Sequence, residues 1–442
     1  MIPEAPRTLL PIRAANALLE APRRSAVEAE LRTPVSELID SVRRGGETTL
    51  RNLAERFDGL PPNATLAFDA SMLHRAADSI PTEARELLER VADRIRRFAQ
   101  AQRGAIAPLV ATISGARVGH MVEPVGCAGC YAPGGRHPLP SSVLMTAVTA
   151  RSAGVERVIV ASPSRDPVML AAAAIAGADR YLNVGGAHAI AALAFGVATP
   201  TCDVIVGPGN RWVTEAKRQL VGRVGIDMLA GPSELLIIAD ESASATTIAA
   251  DLLAQAEHDT DAVAWLVTTD PTLVDRVDEQ LRMQLAGLPR GSRDVATIAL
   301  ANGGCTVCDS LTEAIALSDA IAPEHLQVLT ADADAVARRI RNAGGIFIGE
   351  RTAQVFGDYG IGPNHTLPTG GCARFSAGLS VIHFLRLRTF VRFDASSGDE
   401  TIIDDTIALA RLEGLEAHAR AAQRRRTIGA GCSAATSSDP SW

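Results

Sequence analysis

The chain has 442 residues, about three times the ~150-residue length of a typical single domain, so two or more cores are expected. Hydrophobic residues make up 47% and charged residues 21%, with 37 Gly and 24 Pro, which excludes disordered, collagen-like and coiled-coil chains. The net charge is -7, and the only basic run is at 424–426 with no interleaved aromatics, so no nucleic-acid partner is expected.

The longest apolar stretch, 168–178, is too short and too alanine-rich to cross a ~30 Å hydrocarbon layer, so no membrane partner is expected either. Pro3, Pro6 and Pro11 interrupt the N-terminal apolar residues and Arg13 follows them, a poor secretory signal. Seven cysteines, an odd number spread along the chain, agree with a reducing compartment, and the expected location is the cytoplasm. Lys217 is the one lysine, so a lysine-based mechanism would have a single candidate.

In chain order, residues 24–104 read as mostly helical, with apolar residues at three- and four-residue spacing in 26–31, 35–42, 50–57, 72–77 and 82–99. From about Ile106 the period changes. Short β-branched runs at 157–161, 180–184 and 203–206 end in Ser162-Pro-Ser164, Gly185-Gly186 and Gly207-Pro-Gly-Asn210, each followed by a helical pattern. Repeated strand-loop-helix units predict a largely parallel sheet, which binds ligands outside the carboxyl ends of its strands. A second such stretch has strand patterns at 235–239, 264–267, 326–329 and 346–348, with a helix at 246–257. Residues 357–371, with five Gly, two Pro and Asn364, read as a loop. A short strand region at 385–393, one long helix at 404–425 and a disordered tail from Gly429 complete the chain.

Five of the nine histidines, His188, His258, His325, His365 and His418, lie beside another polar candidate or a glycine-rich turn. In Asp251-x3-Gln255-x2-His258, the last two would share a helix face and offer an oxygen and a nitrogen to a metal; a polar helix terminus has the same pattern. Glu324-His325, just before a strand, pairs two groups suited to proton transfer near neutrality, and a solvated loop pair is the plainer alternative. The 357–371 loop adds Asp358 and His365. Glu413-x4-His418 on the expected long helix would stand about 140° apart, sharing a site only at a helix flank. Together Gln255, His258, Asp358 and His418 supply a two-nitrogen, two-oxygen set suited to zinc. Cys127-x2-Cys130 and Cys305-x2-Cys308 are far apart in the chain and read as buried or half-buried free thiols rather than a structural zinc site. No Gly-x-Gly-x-x-Gly fingerprint stands at a strand-helix turn, although Gly207-Pro-Gly-Asn210 would let a phosphate-bearing cofactor approach a helix N-terminus.

The segments Cys130-Tyr-Ala-Pro-Gly-Gly-Arg-His-Pro-Leu-Pro-Ser-Ser142, Val206-Gly-Pro-Gly-Asn210, Gly225-Ile-Asp-Met-Leu-Ala-Gly-Pro-Ser-Glu234, Asp251-Leu-Leu-Ala-Gln-Ala-Glu-His-Asp259, Ile321-Ala-Pro-Glu-His-Leu326, Gly362-Pro-Asn-His-Thr-Leu-Pro-Thr-Gly-Gly371 and Leu412-Glu-Gly-Leu-Glu-Ala-His418 resemble the histidinol dehydrogenase family. They occur in that family's order and span residues 30–425, nearly the whole chain. The resemblance implies an α/β fold of two Rossmann-like domains with largely parallel sheets, plus small N- and C-terminal extensions used in dimerisation. Its expected boundaries are 24–105 with 235–372 for the first domain and 106–234 for the second, NAD-contacting one. An N-terminal arm at 1–23, a C-terminal dimerisation and metal-site extension at 373–428 and the tail at 429–442 account for the rest.

The implied reaction, the last steps of histidine biosynthesis, oxidises L-histidinol through L-histidinaldehyde to L-histidine with reduction of two NAD. The implied ligands of one zinc per subunit are Gln255, His258 and Asp358 from one chain and His418 from the other, so the homodimer shares its sites. His325 is the implied base for the alcohol proton and Glu324 the group that activates water. Ser233, Asp358 and Glu413 are implied to touch substrate with the zinc ligands and His325, with His365 close by; Tyr131, His188 and Asn210 would meet NAD. One departure stands out: the family usually has glutamine where this chain has His188, which keeps one hydrogen-bond donor but loses the paired amide. A paralogous zinc-dependent NAD alcohol dehydrogenase acting on another small polar alcohol, such as dihydroxypropanesulfonate, is the alternative, favoured by divergence at Glu413 and His418. A non-catalytic metal-dependent binding protein would predict loss of Glu324 or His325. All four residues are present.

Overall fold

The computed structural model describes residues 8–20, 28–134, 138–393 and 400–428. The expected tail from Gly429, part of the expected N-terminal arm (1–7 and 21–23) and Gly135-Arg-His137 lie outside the described residues. Two compact units emerge, Met1–Arg103 with Pro124–Phe384, and Gly104–Glu123 with Leu385–Trp442.

The large unit is mixed α/β and contains two sheets. The first has six strands in the order Ala67–Asp69, Arg180–Leu182, Arg157–Ala161, Cys127–Tyr131, Val204–Val206 and Gly225–Ile226, all parallel except the first. The second has five parallel strands in the order Gly304–Val307, Val263–Thr268, Glu234–Ala239, His325–Leu329 and Gly345–Ile348. Glu234–Ala239 and Val263–Thr268 are buried throughout, which is why they read as unbroken apolar runs and not as alternating patterns. Side-chain caps start the intervening helices: Asp166, Asn210, Ser244, Asp270 and Ser310 each accept amide hydrogens of the first turn.

The helical N-terminal region divides differently from the expected grouping of 24–105 with 235–372. The helix Arg32–Phe57 shares a core with Ile159, Ile190, Leu193 and Val213, and Ala70–Ser79 packs on Pro167–Ile175, so both cover the first sheet. Their apolar stripes show that a sheet is covered, not which one. Thr82–Gly104 does join the later half, where Arg94 Nε donates to the Gly360 carbonyl at 2.8 Å. The described part of the N-terminal arm lies along its own chain's second sheet: Ile12 bridges Cys305 in parallel, and Leu10 and Leu18 enter the two cores of that sheet.

The small unit holds a three-stranded sheet in the order Leu385–Phe393, Ala116–Pro124 and Leu109–Ile113, the last two antiparallel. Residues 106–123 were expected in the NAD-contacting domain, but pairing with 385–393 takes them into this unit, whereas 373–384 stays in the large one. The expected single helix at 404–425 is two, Thr401–Leu412 and Glu416–Gln423, because Gly414 adopts φ +78 and the Leu415 amide turns back to the Ala410 carbonyl at 2.7 Å. Glu413 caps the first helix and His418 lies in the first turn of the second, so the 140° helical separation does not apply. Among the described residues, no helix is long and apolar enough to cross a membrane.

Candidate active site

Four polar residues gather at the amino ends of two neighbouring strands of the second sheet. Glu234 and His325 open those strands, which pair in parallel register, with Ser233 and Glu324 immediately before them. Glu324 Oε2 accepts from the Ser233 hydroxyl at 2.7 Å and the Glu234 amide at 2.8 Å. The residue is 7% exposed, and burial pushes its pKa up to about 8 in spite of those two donors. The left-handed turn at Ala322, φ +49, followed by Pro323, brings the chain into the strand so that two adjacent side chains serve one site.

His325 is also buried, with Nδ1 2.9 Å from the Glu234 carbonyl and 3.5 Å from Glu324 Oε2. A carbonyl only accepts, so Nδ1 carries the proton and Nε2 is the basic nitrogen. Burial lowers the imidazole pKa, against the opposing charge of Asp358, so the ring is a neutral base at physiological pH.

Asp358 ends the short helix Val355–Asp358, and its Oδ2 accepts from Gln354 Nε2 at 2.9 Å. Its carbonyl lies 3.2 Å from His365 Nδ1, while His365 Nε2 is 3.3 Å from the Ser142 hydroxyl. Burial lowers the His365 pKa, and the charge of Asp358 opposes this. His325 and His365 border a cavity of about 370 Å³ that is otherwise largely apolar, with Phe98, Phe347 and Leu379 in its wall.

Gln255 and His258 were expected on one helix face. The helix Ala245–Ala256 instead ends between them: Gln255 is in its last turn, and His258 follows the cap. His258 Nδ1 is 2.8 Å from the Ala254 carbonyl, which orients the ring and leaves Nε2 as its basic nitrogen. Gln255 is fully buried, yet among the described residues neither amide atom has a hydrogen-bond partner. The amide oxygen of Gln255 and Nε2 of His258 are donors of the kind that a borderline metal ion accepts. No three His, Cys, Asp or Glu side chains form a metal cluster among the described residues. Glu413 and His418 belong to the small unit.

A second cavity, of about 480 Å³, is bordered by Gly209, Asn210 and Arg211 after the first sheet and by Ala230 to Ser233 before the second. Asn210 is exposed there, and its Oδ1 accepts from the Trp212 and Val213 amides. Tyr131 and His188 are both buried and face neighbouring protein groups. Tyr131 accepts the Gly186 amide at 3.1 Å, and His188 Nε2 is 2.8 Å from Asp58 Oδ2, which also accepts the Gly185 amide at 2.9 Å. Asp58, Gln354 and the pairing of the solitary Lys217 with Asp227 could not be read from the sequence, since an isolated polar residue in a helical or loop pattern carries no spacing signal. All six described cysteines are free; Cys127 and Cys202 approach at 3.7 Å, and burial pushes the Cys130 thiol up to about 12.

A two-sheet α/β protein with a neutral imidazole base beside a buried carboxyl, and a separate glycine-lined cavity, has the makings of an oxidoreductase. The histidinol dehydrogenase family model matches residues 21–426. Histidinol dehydrogenase from Aromatoleum aromaticum is 44% identical over 406 residues, covering 90% of this chain and 92% of that protein. The Thermus thermophilus histidinol dehydrogenase is 43% identical over 394 residues, covering 89% and 94%. The crystal structure of histidinol dehydrogenase from Elizabethkingia anophelis is similar with a TM-score of 0.88 and 30% identity, covering 96% of this chain and 99% of that one. This chain belongs to the histidinol dehydrogenase family.

Proposed function

We propose that this protein oxidises L-histidinol to L-histidinaldehyde and then to L-histidine, reducing two NAD. The observation that carries this reading, in a member of that family, is the pairing of His325 with Glu324 at the amino end of one strand. His325 accepts the hydroxyl proton on Nε2 as the carbon loses hydride, and its Nδ1–H stays on the Glu234 carbonyl and fixes the ring. Glu324, ionised, takes a proton from water as the oxygen adds to the aldehyde carbon; loss of a second hydride from the hydrate gives the acid. Ser233 holds the carboxylate in place through its hydroxyl.

When bound, NAD accepts the hydride in each step. The cavity beside Asn210 suits it: the amino end of the helix Arg211–Leu220 and the Arg211 side chain border a space of about 480 Å³, and the loop that leads there needs glycine at 207 and 209 to pack against Tyr131 and Val213. In this reading Asn210 meets the cofactor, whereas Tyr131 and His188 serve it by fastening the Gly185-Gly186 turn.

The unmatched amide of Gln255, the oriented ring of His258 and the carboxylate of Asp358 fit a zinc ion, completed by His418 of the partner subunit in a homodimer. When bound, zinc orients the amino and imidazole nitrogens of the substrate, with Lewis-acid polarisation secondary. Asp358 and Glu413 would also touch the substrate, with His365 alongside. The test is NADH formation with L-histidinol against a panel of small alcohols that includes dihydroxypropanesulfonate. Two NADH per histidinol, with the highest kcat/KM in the panel, is expected, and preference for another alcohol would overturn the reading.

A further inference from the structure

Lys217 is the chain's one lysine, and it is not solvated: it is 2% exposed, and its ammonium pairs with Asp227, whose side chain is fully buried. The two residues come from different elements. Lys217 projects from the helix Arg211–Leu220, and Asp227 directly follows the edge strand Gly225–Ile226. A buried ion pair is weak evidence of stabilisation, because desolvating both charges offsets most of their attraction, so its retention asks for another explanation.

Both backbone polar groups of one residue, Gly207, converge on this pair. The Gly207 amide donates to Asp227 Oδ2 at 2.7 Å, and the Gly207 carbonyl accepts from Lys217 Nζ at 3.1 Å. Gly207 has φ +115 and sits against the Tyr131 backbone, so the residue that starts the 207–210 loop is clamped from two sides. Asp227 Oδ1 also accepts the Met228 amide at 2.7 Å, which fixes the start of the 228–233 segment. Farther along, the Thr214 hydroxyl donates to the Ala230 carbonyl at 3.0 Å, and the Gly231 amide donates to Thr369 Oγ1 at 2.6 Å. Both segments line the 480 Å³ cavity, the first through Gly209 and Asn210 and the second through Ala230 to Ser233, and the second ends at Ser233, which holds Glu324.

We infer that Lys217 and Asp227 are positioning residues that set the width of the dinucleotide cavity by holding the 207–210 and 228–233 segments in register. The inference rests on the reading that NAD occupies the cavity beside Asn210. The pair touches neither substrate nor cofactor. Losing it widens the cavity and weakens NAD binding, while His325 and Glu324 keep their partners. Two charge-assisted hydrogen bonds to the loop are lost, so the expected weakening is roughly 10- to 100-fold.

The test uses the full-length protein and three variants: Lys217→Met, the double variant Lys217→Met/Asp227→Asn, and Asn210→Ala. The single lysine variant leaves a buried charge unpaired and can fail to fold; the double variant removes both charges and keeps an acceptor near Gly207. NAD affinity is measured by calorimetry, with kcat and both KM values. For the double variant the expected result is a raised Kd and KM for NAD, with kcat at saturating NAD, the KM for the alcohol and the pH profile unchanged. Wild-type NAD affinity in the folded double variant, or a fall in kcat with NAD affinity unchanged, would overturn the inference. If Asn210→Ala also binds NAD normally, the assignment of the cavity has failed; if Asn210→Ala alone weakens binding, only the role of the pair has failed.

Discussion

Three histidines of the large unit share one device: His258, His325 and His365 each give Nδ1–H to a backbone carbonyl, of Ala254, Glu234 and Asp358 respectively. Each therefore keeps Nε2 as its basic nitrogen with the ring held in place, and that of His365 lies 3.3 Å from the Ser142 hydroxyl. Replacing His325 by Ala should slow single-turnover NADH formation from histidinol by ~10²- to 10⁴-fold, the usual scale of a lost general base. Glu324→Gln keeps the shape but not the base, so it should slow oxidation of supplied histidinaldehyde far more than the alcohol step. If Glu324→Gln slows only the alcohol step, the division of labour is wrong. The two steps should also differ in pH dependence. The base form of His325 is gained as pH rises through a value below the ordinary histidine range, whereas ionised Glu324 is gained only as pH rises toward about 8. A bound cation pulls the carboxyl value down, so the aldehyde step should rise with a midpoint at or below about 8 and above that of the alcohol step. Rate profiles for the two substrates check this. Cys130→Ala should retain substantial turnover in both steps, since a thiol held near 12 supplies almost no thiolate at neutral pH; loss of the second NADH in a folded variant would implicate it.

At the scale of elements, strands made of β-branched or leucine-rich runs announced themselves, whereas the parallel strands Cys127–Tyr131 and Gly304–Val307, poor in such residues, did not. The runs at 157–161, 235–239 and 326–329 are apolar because both faces are covered, and the structure has strands at Arg157–Ala161, Glu234–Ala239 and His325–Leu329. The hairpin Leu109–Ile113 and Ala116–Pro124 mixes exposed and half-buried positions and left no comparable signal. Glu324 and His325 were legible because both are chemistry-bearing and adjacent. The positions of Gln354 and Asp58 depend on contacts across the fold, which no local pattern encodes. The break between Thr401–Leu412 and Glu416–Gln423 was missed because one glycine inside a periodic run is often tolerated as helix. Gly414→Ala tells the two geometries apart by sign. At φ +78 a side chain should destabilise by about 1 kcal/mol in denaturant unfolding, whereas in a continuous helix alanine would stabilise by a similar amount.

For the whole molecule, the rule that parallel sheets bind ligands at their carboxyl ends accounts for only half of the arrangement. The turns Gly185-Gly186 and Gly207 to Asn210 follow strands of the first sheet, but Ser233, Glu234, Glu324 and His325 stand at the amino ends of the second. One loop, from Asp227 to Ser233, joins those opposite polarities. If His418 reaches the metal from the partner subunit, heterodimers mixing Glu324→Ala and His418→Ala chains should recover activity that neither variant has alone. No recovery after demonstrated subunit exchange would mean each site is built from one chain. A chelator should abolish turnover and zinc restore it, checked by elemental analysis of the stripped protein; undiminished turnover without metal would exclude the role.

The solitary amide of Gln255 also bears on how tightly the protein is folded. A buried polar group without a partner costs about 1–3 kcal/mol, so the fold carries a local weakness that relaxes when a ligand supplies the missing bond. Occupancy and heat resistance are therefore coupled, and the fully loaded enzyme should melt at a higher temperature than the stripped one. Gln255→Leu should invert that dependence: the stripped variant should melt above the stripped parent, while its gain on adding zinc disappears.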